Sequence, residues 1–280
     1  MPLNVDHLMN YRIAPVRQTY TARDSALYAL SIGIGQDPIN EPALKFVGGS
    51  QAVTAFPTLA LVLGQPGFWL GHPDTGVDAV RLLHGEQSIK IRAPLPSSGT
   101  VIGTTRVTGL VDKGAGRGAL LYSEKELTTP EGSVLAITRS TIFLRGDGGF
   151  GHSTTEAVPP PSLPDRDPDL VIAAETRPEQ ALYYRWNGDH NPLHSNPETA
   201  RRAGYDRPIL HGLCTYGIAA RVLLAAVYDW EPHAMKSMSG RFTAPVYPGD
   251  HLEVSIWLDG FFRVTRKADG KAVVDNGTFA

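Results

Sequence analysis

Two short stretches carry residue types that together could move a proton and hold a developing negative charge. The first, Tyr183-Tyr-Arg-Trp-Asn-Gly-Asp-His-Asn-Pro-Leu-His-Ser-Asn196, gathers one acid, two histidines and several amides around Gly188 and Pro192. A carboxylate and an imidazole on one rigid turn can bracket a water molecule, which suits proton abstraction and donation. Asp189 and His194 are the candidates, and the sequence leaves open which is acid and which is base. The second stretch, Pro208-Ile-Leu-His-Gly-Leu213, directly precedes an apolar run that reads as a helix. Amides at a helix N-terminus carry partial positive charge and are free to donate, so an oxygen gaining negative charge is stabilised there. Gly212 allows close approach, and its amide is the candidate donor. A carbonyl oxygen docked on it would be held as it gains negative charge.

Local signals fix where these groups stand. Gly188 can end the preceding helix in a left-handed conformation, and Pro192 keeps a new helix from running through the segment. Asn196 as N-cap, Pro197 at the first helical position and Gly204 past the end then mark a fresh helix. Asp189 and His194 are therefore expected on a turn between two helices. Leu213 to Val227 is apolar almost all round, as expected of a helix enclosed by a curved sheet. Beyond it Leu252, Val254, Ile256 and Leu258 alternate with other residues, and Asp259-Gly260 and Asp269-Gly270 supply hairpin turns.

The pattern occurs twice. Thr21-Ala-Arg-Asp-Ser-Ala-Leu-Tyr28, followed by Gly33, aligns without gaps on Thr176-Arg-Pro-Glu-Gln-Ala-Leu-Tyr183, followed by Gly188, at an offset of 155 residues. Thr21 with Asp24 and Thr176 with Glu179 each spell a capping box. Arg92-Ala-Pro-Leu-Pro-Ser-Ser-Gly99 echoes Thr243-Ala-Pro-Val-Tyr-Pro-Gly-Asp250, and the first copy continues with strands near 100–110, 118–127 and 134–145 and a turn at Thr129-Pro-Glu-Gly132. The proline- and glycine-rich residues 147–168 form a linker, leaving domains at 1–146 and 169–280. The copies differ in the second helix: Phe56 to Leu63 is stopped by Gly64-Gln-Pro-Gly67, so it is short or broken. A shortened helix leaves room inside the first sheet, where an acyl tail is expected. At the same offset Asp189 falls on Ile34 and His194 on Ile39, so only the second half can be active.

Composition agrees with two soluble domains. The 280 residues are 42% hydrophobic and 19% charged with a net charge of -2, which implies neither a nucleic-acid nor an anionic-membrane partner. The first residues lack a signal-peptide pattern, no stretch has the ~18 apolar residues of a membrane span, and the single Cys214 fits a reducing compartment. A cytoplasmic protein is expected.

Tyr183-x-x-x-x-Gly-Asp-His-Asn-Pro-Leu-His194 followed by Ile209-Leu-His-Gly-Leu-Cys-Thr-Tyr-Gly217 resembles the hydratase 2 motif of MaoC-like (3R)-specific enoyl-CoA hydratases. Leu83-His-Gly-Glu-Gln87 and Arg92-Ala-Pro-Leu-Pro96 resemble the two-domain members. The resemblance implies an α+β double hotdog, two fused domains each with a curved antiparallel sheet around a central helix. It also implies reversible hydration of trans-2-enoyl-CoA to (3R)-3-hydroxyacyl-CoA in fatty acid metabolism, no metal or organic cofactor, and pairing into a homodimer. By the same carry-over Asp189 and His194 are the catalytic pair, Asn191 an orienting amide and Gly212 the oxyanion donor.

Other readings stay in view. An acyl-carrier-protein thioester is an alternative substrate, with Arg201, Arg202, Lys236 and Arg241 as candidate basic side chains at the cleft mouth. A hotdog thioesterase or a non-catalytic acyl-thioester binder are the rival functions. His190, His194, His211 and Cys214 are plausible zinc ligands, but Pro192 breaks the helix that would put the first two on one face, and no metal is expected. His211 reads as a packed helix-start residue and His190 as solvent-facing or packed.

Overall fold

The computed structural model describes residues 3–48 and 51–280. Its strands are β1 (Val16–Tyr20), β2 (Leu82–Ile91), β3 (Gly99–Asp112), β4 (Ala119–Thr128), β5 (Val134–Leu144), β6 (Leu170–Glu175), β7 (Ser237–Phe242), β8 (His251–Trp257), β9 (Phe261–Arg266) and β10 (Lys271–Phe279). They form one sheet in the order β1-β3-β4-β5-β2-β7-β10-β9-β8-β6, with every pair antiparallel. The order reads as two sets of five, each the mirror of the other about the β2–β7 seam. The expected double hotdog is the fold observed. Across the seam Glu86 stands opposite Arg241 in register, and the carboxylate and guanidinium meet at 2.6 Å, a cross-strand pair that locks the two halves together.

The helices are α1 (Val5–Met9), α2 (Ala22–Ser31), α3 (Glu41–Leu44), α4 (Gln180–Tyr184), α5 (Pro197–Arg202) and α6 (Gly212–Tyr228). The central helix α6 buries residues on every side, from Cys214 to Leu224, as its apolar sequence requires inside a sheet. At Gly217 a Cβ would stand 2.6 Å from Ile32 Cγ2, so glycine is what lets α6 touch the end of α2. The matching stretch of the first half is only a 3-10 helix, Pro57–Leu61. Its end is held by Lys125, a buried side chain of β4 whose Nζ donates to the carbonyls of Ala60, Leu61 and Leu63 at 2.5 to 3.1 Å. Phe46, Phe56, Leu59, Leu61 and Leu63 are buried in the same core as α6, so in this conformation side chains occupy the space beside the short helix.

One sequence expectation fails locally. The Thr21 capping box forms, with Thr21 N donating to Asp24 Oδ2 at 2.8 Å and the hydroxyl accepting from Asp24 N. Its counterpart does not: Glu179 is the N-cap of α4 without a side-chain cap. The reason is the neighbouring strand. Thr176 continues the pairing of β6 with β8, its hydroxyl donating to Asp250 O at 2.8 Å and accepting from Gly249 N at 2.9 Å, and this takes the side chain away from the helix.

Residues between β5 and β6 form neither helix nor strand. They are pinned to the sheet where Asp112 accepts from Gly149 N and Gly151 N and where Asn276 donates to Pro161 O. A cleft of about 350 Å³ between Pro159–Pro161 and the seam contains Glu86, Tyr122 and Arg241 but none of the candidate site residues.

Candidate active site

The turn that carries the acid and the imidazole is built as the sequence indicates. A 3-10 turn, Arg185–Asn187, ends at Gly188 with φ +104°, a conformation that costs any other side chain. Asp189 Oδ1 accepts from Asn191 N at 3.1 Å, and Asn191 Oδ1 caps the next 3-10 turn, Pro192–His194, by accepting from Leu193 N at 3.0 Å. The side chain of Asn191 thus fixes the turn on which His194 stands. Asn196 caps α5 through Thr199 N, with Pro197 at the first helical position.

His194 is 9% exposed, while Asp189 lies at the surface. His194 Nδ1 stands 2.8 Å from Ile209 O. Because that carbonyl can only accept, Nδ1 carries the proton and Nε2 keeps its lone pair. Burial lowers the imidazole pKa, against the opposing influence of the Ile209 carbonyl and the Asp189 carboxylate, so the ring is a neutral base near pH 7. Ile209 belongs to the strip before α6, and Leu210 N donates to Val246 O at 2.7 Å. That strip brings Gly212 to the same place. Gly212 opens α6 behind His211 as N-cap, no side chain caps the helix, and the Gly212 amide finds no acceptor among the described residues. It is available to an incoming oxygen.

The structure therefore brings Asp189, His194, Asn191 and the Gly212 amide into one locality. It also adds a residue that the sequence left as packing. His211, 1% exposed, stacks on His194 with ring centroids 3.8 Å apart. The signal was its place immediately before Gly212. The first half contributes His84 of β2, quoted above only within Leu83-His-Gly-Glu-Gln87. Its ring packs edge-on against Phe242 at 5.0 Å, and Phe242 in turn lies against Gly212. Burial lowers the His84 pKa to about 4, while the charge of Asp189 works in the opposite direction.

Ligand-type atoms of Asp189, His194 and His211 lie within 4.8 Å of one another. A metal needs in-plane lone pairs that converge at roughly 2.0–2.1 Å from each nitrogen, whereas stacked rings set theirs side by side. The other members of the zinc combination are not brought in: Cys214 Sγ is buried against Ser31 O, and His190 is exposed beside Trp186. Of the basic candidates, Arg201 and Arg202 are exposed on α5, next to the turn that carries Asp189 and His194. Arg241 is committed to Glu86, and Lys236 precedes β7 at the end of that strand remote from Phe242 and Gly212.

Residues 18–146 match the MFE-2 hydratase 2 N-terminal domain and residues 160–278 the MaoC like domain. The chain is 41% identical over 276 residues to a protein of Arabidopsis thaliana named enoyl-CoA hydratase 2, peroxisomal, with 92% of this chain and 88% of that one covered. The chain belongs to the MaoC-like hydratase 2 family. A relative from Mycobacterium tuberculosis, named 3-hydroxyacyl-thioester dehydratase Y, is 41% identical to this hydratase 2 family member over 94% of the chain and 93% of its own length. Among solved structures, a MaoC-like dehydratase from Phytophthora capsici superposes with a TM-score of 0.87 at 32% identity, covering 99% of this family member and 97% of the other chain.

Proposed function

We infer that the chain catalyses the reversible hydration of trans-2-enoyl-CoA to (3R)-3-hydroxyacyl-CoA in fatty acid metabolism. The observation that carries the reading is the tautomer of His194: its Nδ1 proton is engaged by Ile209 O, which leaves Nε2 its lone pair in a ring that clusters with Asp189 and with His211, the residue before the open Gly212 amide. Water held between Asp189 and His194 gives a proton to Nε2 while its oxygen bonds to the β-carbon. The π electrons move toward the carbonyl, whose oxygen takes on negative charge against the Gly212 amide. The proton taken up by Nε2 is then passed by way of Asp189 to the α-carbon, so the enolate collapses to the 3-hydroxyacyl thioester and His194 and Asp189 return to their starting protonation states. Asn191 keeps the turn in shape and does not enter the bond changes.

The division of labour follows. Residues 169–280 carry the chemistry, 147–168 connect, and 1–146 accommodate the acyl chain. A long tail would enter by displacing Phe56 and its neighbours, and the exposed arginines of α5 stand where the CoA phosphates or an acyl carrier protein would approach. The double hotdog works as a homodimer in the cytoplasm, away from membranes; among the described residues no helix is long and apolar enough to cross one.

Loss of enoyl absorbance on adding crotonyl-CoA, with chiral analysis of the product, tests the activity. Formation of the (3R)-hydroxy product is expected, whereas release of free thiol without hydration would favour a thioesterase instead. Rates on the matched acyl-carrier-protein thioester separate the two carriers. Light scattering showing twice the chain mass checks the dimer, and cell fractionation checks the compartment.

A further inference from the structure

His211 lies outside the pair assigned above, yet it touches both members. It is the N-cap of α6, with φ −59° and ψ 134°, so the peptide that follows it is the Gly212 amide. Its Nε2 stands 3.2 Å from the backbone oxygen of Asp189. A carbonyl can only accept, so Nε2 carries the proton and Nδ1, buried and without a partner among the described residues, carries the lone pair. The face of the ring lies on His194, with planes 28° apart. One side chain thus holds the acid's turn by a hydrogen bond, the base by stacking, and the oxyanion donor by covalent adjacency.

We propose that His211 is the positioning residue of this site, its Nε2–H fixing the Asp189 turn and its ring face seating His194 so that carboxylate, imidazole and Gly212 amide keep one spacing. The proposal rests on Asp189 and His194 being the reacting pair. Other groups face the ring too: Arg185 and the Tyr184 ring, centred 5.0 Å away. Burial first, then His194 and Arg185, lower the His211 pKa far below that of an ordinary imidazole, outweighing the Asp189 carboxylate and carbonyl. His211 is therefore neutral when His194 takes the proton of water, and the new imidazolium lies on an uncharged ring rather than beside a second cation.

The chain contains its own control. At the offset of 155 residues that aligns the repeats, His211 falls on Phe56 and Gly212 on Pro57. The backbone is the same there: Phe56 is the N-cap of the 3-10 helix, with φ −77° and ψ 137°. The half that has isoleucine in place of the acid and the base thus keeps a flat ring at this position but has neither the N–H on that ring nor an amide hydrogen on the next residue. Packing alone is served by phenylalanine. The hydrogen-bonding nitrogen occurs only beside the catalytic pair.

His211→Phe, the residue of the first repeat, keeps the face and removes the N–H; His211→Gln offers an N–H to Asp189 O and removes the face. Both are assayed on crotonyl-CoA hydration beside Asp189→Asn and His194→Ala, with Tm and near-ultraviolet circular dichroism as folding controls. His211→Phe is expected to fold as wild type and to lose about 10- to 100-fold in kcat with KM within about threefold, the scale of a misplaced catalytic group. His211→Gln admits water to His194, so the acidic limb of its kcat/KM profile moves to higher pH, toward an ordinary imidazole. A His211→Phe enzyme within twofold of wild-type kcat, or variants that lose activity only in step with their unfolded fraction while the acidic limb stays in place, would overturn the proposal. If Asp189→Asn and His194→Ala stay active, the site assignment itself has failed. If those two are inactive while His211→Phe is wild type, only the role of His211 falls.

Discussion

The two halves have mirror-related strand orders and the same backbone at the residue before the central helix, and they build that helix in opposite ways. In the second half α6 begins at Gly212 with an amide no carbonyl claims and runs for 17 residues through the core. In the first half Pro57 occupies that first position without an amide hydrogen, and the helix stops at Leu61, where Lys125 takes its last two carbonyls and that of Leu63 just beyond. Polar groups are thus left open in one repeat and closed in the other. An active site on this scaffold needs more than a carboxylate and an imidazole. It needs a helix terminus whose unsatisfied donor has been kept free, and the first copy offers none at the corresponding position, where Pro57 has no amide hydrogen.

The sharpest way to break this contrast is at the reacting pair. Asp189→Asn or His194→Ala is expected to lower turnover by roughly 10²–10⁴-fold with folding intact, the usual range for general acid–base groups. Because the first repeat has Pro57 where the second has Gly212, adding Ile39→His to the His194→Ala enzyme is expected to restore nothing. Steady-state hydration rates check both statements, and recovery of activity in the double variant would refute the contrast.

Next in size is the closed end of the first half. Burial draws the Lys125 pKa down to about 7, but three N–H donors on three carbonyls is the geometry of the ammonium, since a neutral amine has only two hydrogens. Lys125→Met takes the side-chain donor from the Ala60 and Leu63 carbonyls, while Leu61 O keeps the Gln65 amide, and each buried carbonyl left without a donor costs about 1–3 kcal/mol. A drop in urea-unfolding free energy of at least that size is expected, with kcat much less affected because the lysine belongs to the other half. A variant as stable as wild type would show that the short helix ends on its own.

A third test uses pH. His84, His194 and His211 all have pKa values lowered by burial and all lie near Asp189, whereas His7, His72 and His152 of the first half and linker are exposed. Folded imidazoles with depressed pKa values bind fewer protons than the unfolded chain below its ordinary value of about 6.5. Their contribution to stability is therefore complete above about pH 6.5 and is lost as pH falls toward the His84 value of about 4. The Tm should fall progressively from pH 7 to pH 5, and less in a His84→Phe, His211→Phe double variant. Equal losses in both proteins would argue that carboxylates alone set the acid limit.

Much of this was legible in the chain itself. Glycine and proline at 188, 192, 197 and 204 fixed the turn of Asp189 and His194, alternation with Asp-Gly turns located strands of the second meander, and Thr129-Pro-Glu-Gly132 marked a turn of the first. Tertiary partners were not legible. That His211 stacks on His194 depends on the Ile209–Leu210 strip bonding to His194 and to Val246, contacts far apart in sequence, and that His84 reaches the site depends on the β2–β7 seam. Lys125 reads as an ordinary strand lysine until its three carbonyls are seen.

The smallest expected effect concerns the motif that looked identical in both repeats. Thr21 caps α2, with Thr21 N and its hydroxyl both bonded to Asp24, and Thr21→Ala should cost about 0.5–1 kcal/mol, the low end for an exposed cap. Thr176 is buried and serves Gly249 N and Asp250 O instead, so Thr176→Ala should leave the start of α4 unchanged and loosen the turn before β8. Amide exchange separates the two. Faster exchange at the first turn of α2 is expected in the first variant, and faster exchange at Gly249 in the second, where the hydroxyl was the acceptor. Faster exchange at α4 in Thr176→Ala would mean that the capping box spelled by Thr176 and Glu179 does form in solution, and that the two repeats are more alike at their helix starts than strand pairing with β8 allows.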